Sequence, residues 1–276
     1  KPSLDAISIE RLLPHRPPML ALDRLAEWSS DHSVATLTLR DGAPCFEAGR
    51  FRAIWCLELM AQAVGADVAY RAVVAEQPRE AAGYVVGVEG LELLDAVALA
   101  PGDRLCIESR LEIEIPPAAE LSARVLTAGG TPVASARLRM LVGGASPQPT
   151  ASDAPRLEGF QGCTFNRDES SSQMRIRIGA GHPYLDGHFP GMPLLPAVGQ
   201  LRLVEHAAEM ALGRPCELAA VERARFLEPI VPGDSLELSL DLEQAPAIGW
   251  AFRRGGRPIA KGSGRLTSDR SEVRAG

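Results

Sequence analysis

A Pro-Gly-Asp tripeptide occurs twice in this chain, at Pro101-Gly102-Asp103 and Pro232-Gly233-Asp234, and each copy follows a long helical pattern and opens a strand pattern. The strand runs, Arg104–Ile113 and Ser235–Leu242, alternate polar and apolar residues, which marks strands with one buried face. Each half ends in a second such run, Val133–Val142 and Pro258–Leu266. The first helix pattern runs from about Ala53 towards Glu76 and stops before Pro78. It is apolar on almost every side, so it belongs in a core. The second starts near Pro196, carries Val198, Leu201, Val204, Ala208 and Leu212 at helical spacing, and stops at Gly213. The chain therefore reads as one plan used twice. Residues 1–143 form an N-terminal domain and 157–268 a C-terminal one, with a small, polar, Pro-rich linker at 144–156 and a tail at 269–276. The fold class is α+β: two long central helices, each wrapped by antiparallel sheet.

Composition removes several kinds of chemistry. The 29 basic residues include two lysines, Lys1 and Lys261, and neither has the neighbours of a phosphate-binding G-x-x-x-x-G-K-[ST] loop. Lys261 lies between Ala260 and Gly262, a poor place for the desolvated amine of a Schiff base. A net charge of −6 and 5% aromatic residues argue against nucleic acid. The five cysteines, Cys45, Cys56, Cys106, Cys163 and Cys216, contain no C-x-x-C, and an odd, scattered set fits a reducing compartment. The five histidines show no metal-binding spacing, so no metal is expected. Lys1–Asp5 hold no signal-peptide run, and the apolar stretch Ala53–Val74 is broken by Glu58, Gln62, Asp67 and Arg71. The expectation is a cytoplasmic protein with no membrane association.

Two segments stand out. His182–Pro196 packs two His, four Pro and two Gly ahead of the second helix, which sets His188 on a stiff loop. Leu57–Ala63 places Glu58 within an apolar helix, where an ionised carboxylate needs a partner. Gln62, one turn on, shares its face and is placed to orient it.

These motifs resemble those of the hotdog-fold 3-hydroxyacyl-carrier-protein dehydratases of the FabZ and FabA types. Their G-H-F-P-G-x-P-x-x-P-G-V signature appears at Gly187–Val198, with Ala197 in place of the last Gly. Their L-P-H-R-x-P opening appears at Leu13–Pro18, an Asp-Arg pair at Asp23-Arg24, and an E-x-M-A-Q-A helix at Glu58–Ala63. The first half looks like the ApeP-type subunit, and the second like the ApeI-type subunit, of the paired dehydratases of aryl polyene biosynthesis. The resemblance implies a double hotdog, a pseudo-dimer with one continuous sheet.

Departures from the family carry information. There the acid stands fourteen residues after the catalytic His; position 188 + 14 is Arg202, and 58 − 14 is Pro44. Each half thus keeps one member of the dyad, which points to one composite site, His188 with Glu58, and a dead reciprocal site. The resemblance implies dehydration of (3R)-hydroxyacyl thioesters to trans-2-enoyl thioesters, with His188 as base and a neutral Glu58 as acid. Gln62, Gly187, Phe189, Pro190 and Gly191 would support them. Backbone N–H groups at Ala53 and Ile54, positions taken from the family's helix start, would meet the developing enolate. No cofactor is implied beyond the phosphopantetheine that carries the substrate.

The implied partner is an acidic acyl carrier protein, met by Arg50, Arg52, Arg223 and Arg225; the pseudo-dimers would have scope for further association. His15 and Arg16 read as structural residues under the helix or at the interface between halves. His182 and Asp186 read as loop scaffolding or pocket lining, Glu205 and His206 as solvated, and Cys56 and Met60 as core. Two other readings stay open: a hotdog thioesterase using Glu58 without His188, and a non-catalytic acyl-carrier binding or scaffold protein.

Overall fold

The repeated Pro-Gly-Asp tripeptides form the same turn twice. In a computed structural model of the chain, Gly102 and Gly233 adopt φ of 95° and 90°, a region open to glycine. The Asp103 and Asp234 carboxylates each accept a backbone N–H, from Ala100 and Val231, at 2.8 Å. The structure describes residues 3–76, 83–94, 98–142, 163–167 and 173–267. The linker and tail expected at 144–156 and 269–276 lie outside the described residues, and the boundaries set there remain our proposal.

Both long helices form where the patterns placed them. After a single helical turn, α1 (Ile9–Leu12), comes α2 (Cys56–Val74), entered through a 3₁₀ turn at Ala53–Trp55; α3 (Ala197–Leu212) ends at Gly213. The N-terminal strands are β1 (Arg24–Trp28), β2 (His32–Thr38), the short β3 (Phe46–Glu47) and β4 (Arg50–Phe51), β5 (Gly83–Leu93), β6 (Arg104–Ile115), β7 (Ala118–Thr127) and β8 (Pro132–Val142). The C-terminal ones are β9 (Cys163–Arg167), β10 (Gln173–Ile178), β11 (Leu218–Phe226), β12 (Ser235–Asp241), β13 (Ala247–Arg254) and β14 (Arg257–Leu266).

Among the described residues twelve strands make one sheet, in the order β1-β2-β6-β7-β8-β5-β11-β14-β13-β12-β10-β9. Every pairing is antiparallel. The halves join at β5 and β11, where Val88 faces Ala224 and Leu91 faces Val221. Alternate residues of β2, β10 and β12 are buried, as a period of two requires. Those buried faces close over α2 and α3, which also touch each other. This is the double hotdog.

The halves are also pinned by ions. Arg202, on α3, is 2% exposed and donates to both carboxylate oxygens of Glu47, on β3, with Nε at 3.0 Å. It also pairs with Glu205, whose other oxygen accepts the Leu218 N–H at 2.8 Å. Arg52 lies 3.4 Å from Glu205 and 3.2 Å from Glu217, and the Tyr184 hydroxyl donates to Glu47 at 2.9 Å. Burial opposes charge here; the Arg202 guanidinium, with Tyr184 and Arg52, nevertheless holds the Glu47 carboxyl below its ordinary range. Glu205, read from sequence as solvated, is 1% exposed, because Arg202 and Arg52 compensate its charge.

Two outcomes follow. Residues 1–145 or 156–276 expressed alone expose the β5 or β11 edge, and each is expected to associate or aggregate; a stable monomeric half in size-exclusion chromatography would contradict the shared seam. Arg202→Ala leaves Glu47 and Glu205 with Arg52 as their remaining cation and should cost up to about 3–5 kcal/mol, the usual effect of breaking a buried pair. Thermal unfolding reads this as a clear fall in Tm.

Candidate active site

Glu58 lies in the first turn of α2 and is 3% exposed. A carboxylate there needs donors, and two of them meet the same oxygen. The Gln62 amide donates to Oε1 at 2.8 Å, and His15 Nε2 lies 3.4 Å from Oε1. Gln62 is itself fully engaged, donating to the Met19 carbonyl at 2.8 Å and accepting the Ala21 N–H at 3.0 Å. Sequence spacing predicted the Glu58–Gln62 pair, because residues four apart share a helix face.

His188 arrives from the other half. Its loop is held by Gly187, with φ of 78°, where a Cβ would lie 2.0 Å from the Arg16 carbonyl oxygen. The Arg16 N–H donates to the Gly187 carbonyl at 2.9 Å, which ties the N-terminal segment to this loop. His188 Nδ1 donates to the Leu194 carbonyl at 2.9 Å, which leaves the Nε2 lone pair free. The Phe189 ring stacks on His188 with centroids 4.2 Å apart. Gly191 also has positive φ, 81°, and Pro190 is exposed, so these two shape the loop.

The donor atoms of His15, Glu58 and His188 all lie within 4.8 Å of one another. His15 was read as a structural residue, and the structure corrects this: its ring lies edge-on to His188 and Phe189, at 5.1 and 5.0 Å. The signal available in sequence was a His between prolines, Pro14 and Pro17-Pro18, since such a segment holds a side chain still. Linear spacing showed no convergent ligands, yet these three groups, far apart in sequence, form a set able to ligate a divalent cation.

The three groups open into a cavity of about 1080 Å³. Both halves line it, with Leu57, Ala61 and Tyr84 from the first and Leu195, Phe226 and Leu227 from the second. An apolar volume with a few convergent polar groups suits a long acyl chain. Burial is the largest effect on His188 and brings its pKa down to about 4, with Glu58 partly opposing it. Burial pushes Glu58 up, but the His15 hydrogen bond and charge, then His188 and Gln62, leave it below the ordinary carboxylate range. Against the expected neutral Glu58, its donors favour the ionised form, because the apolar helix is not its whole surrounding.

Other expected residues fall elsewhere. Ala53 and Ile54 do not line the cavity. They sit in the turn before α2, where Trp55 donates to Tyr184 at 3.1 Å. Pro196 and Ala197, at the start of α3, line it instead, and no side chain caps that end. His188 and Glu58 come from opposite halves, so the helix start next to His188 is that of α3. Arg52 is consumed by Glu205 and Glu217, and Arg50 pairs with Glu217, away from the cavity. His182 serves its loop, accepting the Tyr184 N–H at 3.2 Å. Burial raises the Cys45 and Cys56 thiols to about 12, which keeps them inert. No helix among the described residues is long and apolar enough to cross a membrane.

Comparison with known proteins agrees with this architecture. Residues 7–148 match a family described as ApeP-like, ApeP dehydratase, and residues 164–263 match one described as ApeI-like, ApeI dehydratase. The chain is 38% identical over 79 residues to the 3-hydroxyacyl-[acyl-carrier-protein] dehydratase FabZ of Pelotomaculum thermopropionicum, a match covering 24% of this chain and 53% of that protein. It is 34% identical over 122 residues to the FabZ of Anaeromyxobacter sp. (strain K), covering 42% of this chain and 73% of that protein. The chain thus spans about half the length of the first of these relatives. A solved structure described as a fusion DH domain superimposes with a TM-score of 0.51 at 14% identity, covering 92% of this chain and 94% of that one, a likeness of fold. A buried His and Glu from opposite halves, on motifs matched along most of the chain, place this protein in the ApeP-like dehydratase family, with an ApeI-like dehydratase domain fused behind.

Proposed function

We propose that the chain dehydrates 3-hydroxyacyl thioesters, borne on an acyl carrier protein, to trans-2-enoyl thioesters at one composite site. The observation that carries this reading is the meeting of His188 and Glu58, one from each half, within 4.8 Å in an apolar cavity. A hydrolytic reading using Glu58 alone leaves the free Nε2 of His188 without a role.

The Nε2 lone pair takes the α-proton, which the thioester acidifies. The Cα–H electron pair forms the double bond, and the β-C–O bond breaks. Glu58 protonates the leaving hydroxyl, and water departs. An acyl chain filling the cavity removes residual solvation and so raises the neutral fraction of Glu58. The α-proton then passes from His188 to Glu58 and restores the site. The first-turn N–H groups of α3, at Ala197 and after, face the thioester oxygen as charge develops. No step calls for a metal or cofactor.

The substrate's carrier needs a docking face. Arg225, on β11, lies opposite Lys261 on one side and Gly87 on the other, and Gly87 lies opposite Arg139. Arg223 and Arg137 flank Glu89 in the next row. These five cations share the outer face of the seam with Glu89, Glu120 and Glu222. Phe226 and Met140, each next to one of these arginines in sequence, line the cavity. An acidic carrier docked there would have its arm beside the cavity. The cytoplasm is the compartment that fits these reactants.

His188→Ala and Glu58→Ala should each lower the dehydration rate by roughly 10²–10⁴-fold, the usual share of acid–base catalysis, read as enoyl-thioester absorbance; wild-type rates in either variant would sink the composite site. The pH dependence follows from His188. Its proton binds near pH 4 in the fold against 6.5 in an ordinary His, so the acid limb of kcat/KM should lie well below 6.5. Over the same range the unfolded chain binds the extra proton, so this group's stabilising contribution is lost as pH falls from 6.5 towards 4. Arg139→Glu combined with Arg225→Glu should raise KM for a carrier-borne substrate far more than for a short pantetheine thioester; equal effects would argue against docking.

A further inference from the structure

We propose that His15 is a positioning residue that holds Oε1 of Glu58 and thereby leaves Oε2 as the oxygen that carries the reacting proton. The proposal rests on the dehydratase reading and deepens it.

Three observations converge. First, both side-chain donors to Glu58 use one oxygen: Gln62 Nε2 at 2.8 Å and His15 Nε2 at 3.4 Å both meet Oε1. A carboxyl whose Oε1 is saturated by donors takes its proton on Oε2. Second, His15 Nδ1 is buried and has no hydrogen-bond partner. With no partner at Nδ1, the ring's contact with protein polar groups runs through Nε2, which is aimed at Oε1. Third, its backbone is clamped from both sides. Leu13 packs so closely on α2 that a Cβ at Gly65 would lie 3.2 Å from it, and Arg16 bonds to Gly187 beside the base. The Arg16 guanidinium is turned back onto the Leu13, Pro14 and His15 carbonyls, at 2.6–3.3 Å.

The segment Leu13–Arg16 thus sets the acid and the base by contacts with α2 on one side and the Gly187 loop on the other. The titratable groups facing Glu58 among the described residues are His15, from the N-terminal segment, and His188, from the loop before α3; α2 adds the neutral Gln62.

The test compares His15→Phe, which keeps ring volume and removes the donor, with His15→Gln, which keeps a neutral donor of similar reach. Wild type and Glu58→Gln are assayed beside them on a 3-hydroxyacyl carrier protein. In His15→Phe, kcat should fall on the order of 10–100-fold, the scale of a misplaced catalytic group, with KM within about threefold. The alkaline limb of kcat should move to higher pH, since Glu58 loses a donor that favours its ionised form. His15→Gln should recover most of kcat and return the limb towards wild type. A purely structural role would lower Tm alike in both variants and leave the limb in place, and that result overturns the inference. So does wild-type kcat in His15→Phe when Glu58→Gln is inactive, a result that leaves the dehydratase reading standing. A wild-type chain with no dehydration overturns both.

Discussion

A carboxylate cannot be buried by itself, and this molecule buries carboxylates where its halves meet. Charge taken out of water must be matched by donors or by opposite charge. The two places are solved in opposite ways. At one, Glu58 is met by the Gln62 amide and His15, with His188 opposite, groups that hold it while leaving protons able to move. At the other, Glu47 and Glu205 are matched by Arg202 and Arg52, cations that do not titrate near neutrality. The first arrangement suits proton transfer and the second suits cohesion.

The asymmetry explains why a duplicated fold has a single composite site. In a symmetric pair both helices would carry an acid and both preceding loops a His. Here α2 carries Glu58 and the loop before α3 carries His188, so the two meet only where the halves join. The reciprocal position is filled by Arg202 and its carboxylates, and Tyr184 joins them through Glu47. The large cavity opens at the Glu58 end.

Much of the architecture was legible because local patterns and tertiary packing agree. Period-two runs became strands, the apolar helix became the core, and Pro-Gly-Asp became a turn closed by its own carboxylate. His188 and Glu58 could be named because each breaks a local rule: a His in a loop too rich in Pro and Gly for regular structure, and an acid in an apolar helix. His15 was misjudged because its significance lies in what the segment touches. Ala53 and Ile54 fell outside the cavity because counting along one helix cannot show that the start of the other helix lines it.

The sequence by itself determined two copies of one α+β plan and the positions of the two long helices and of four strands. These are properties of neighbouring residues, whose backbone preferences and side-chain periodicity act over a few positions. Only the tertiary structure decided that His15 joins Glu58, that Arg52 is half-buried among carboxylates, and that Glu205 is not solvated. Those outcomes depend on desolvation and on charge partners brought from far along the chain, and neither is a property of a residue's neighbours in sequence.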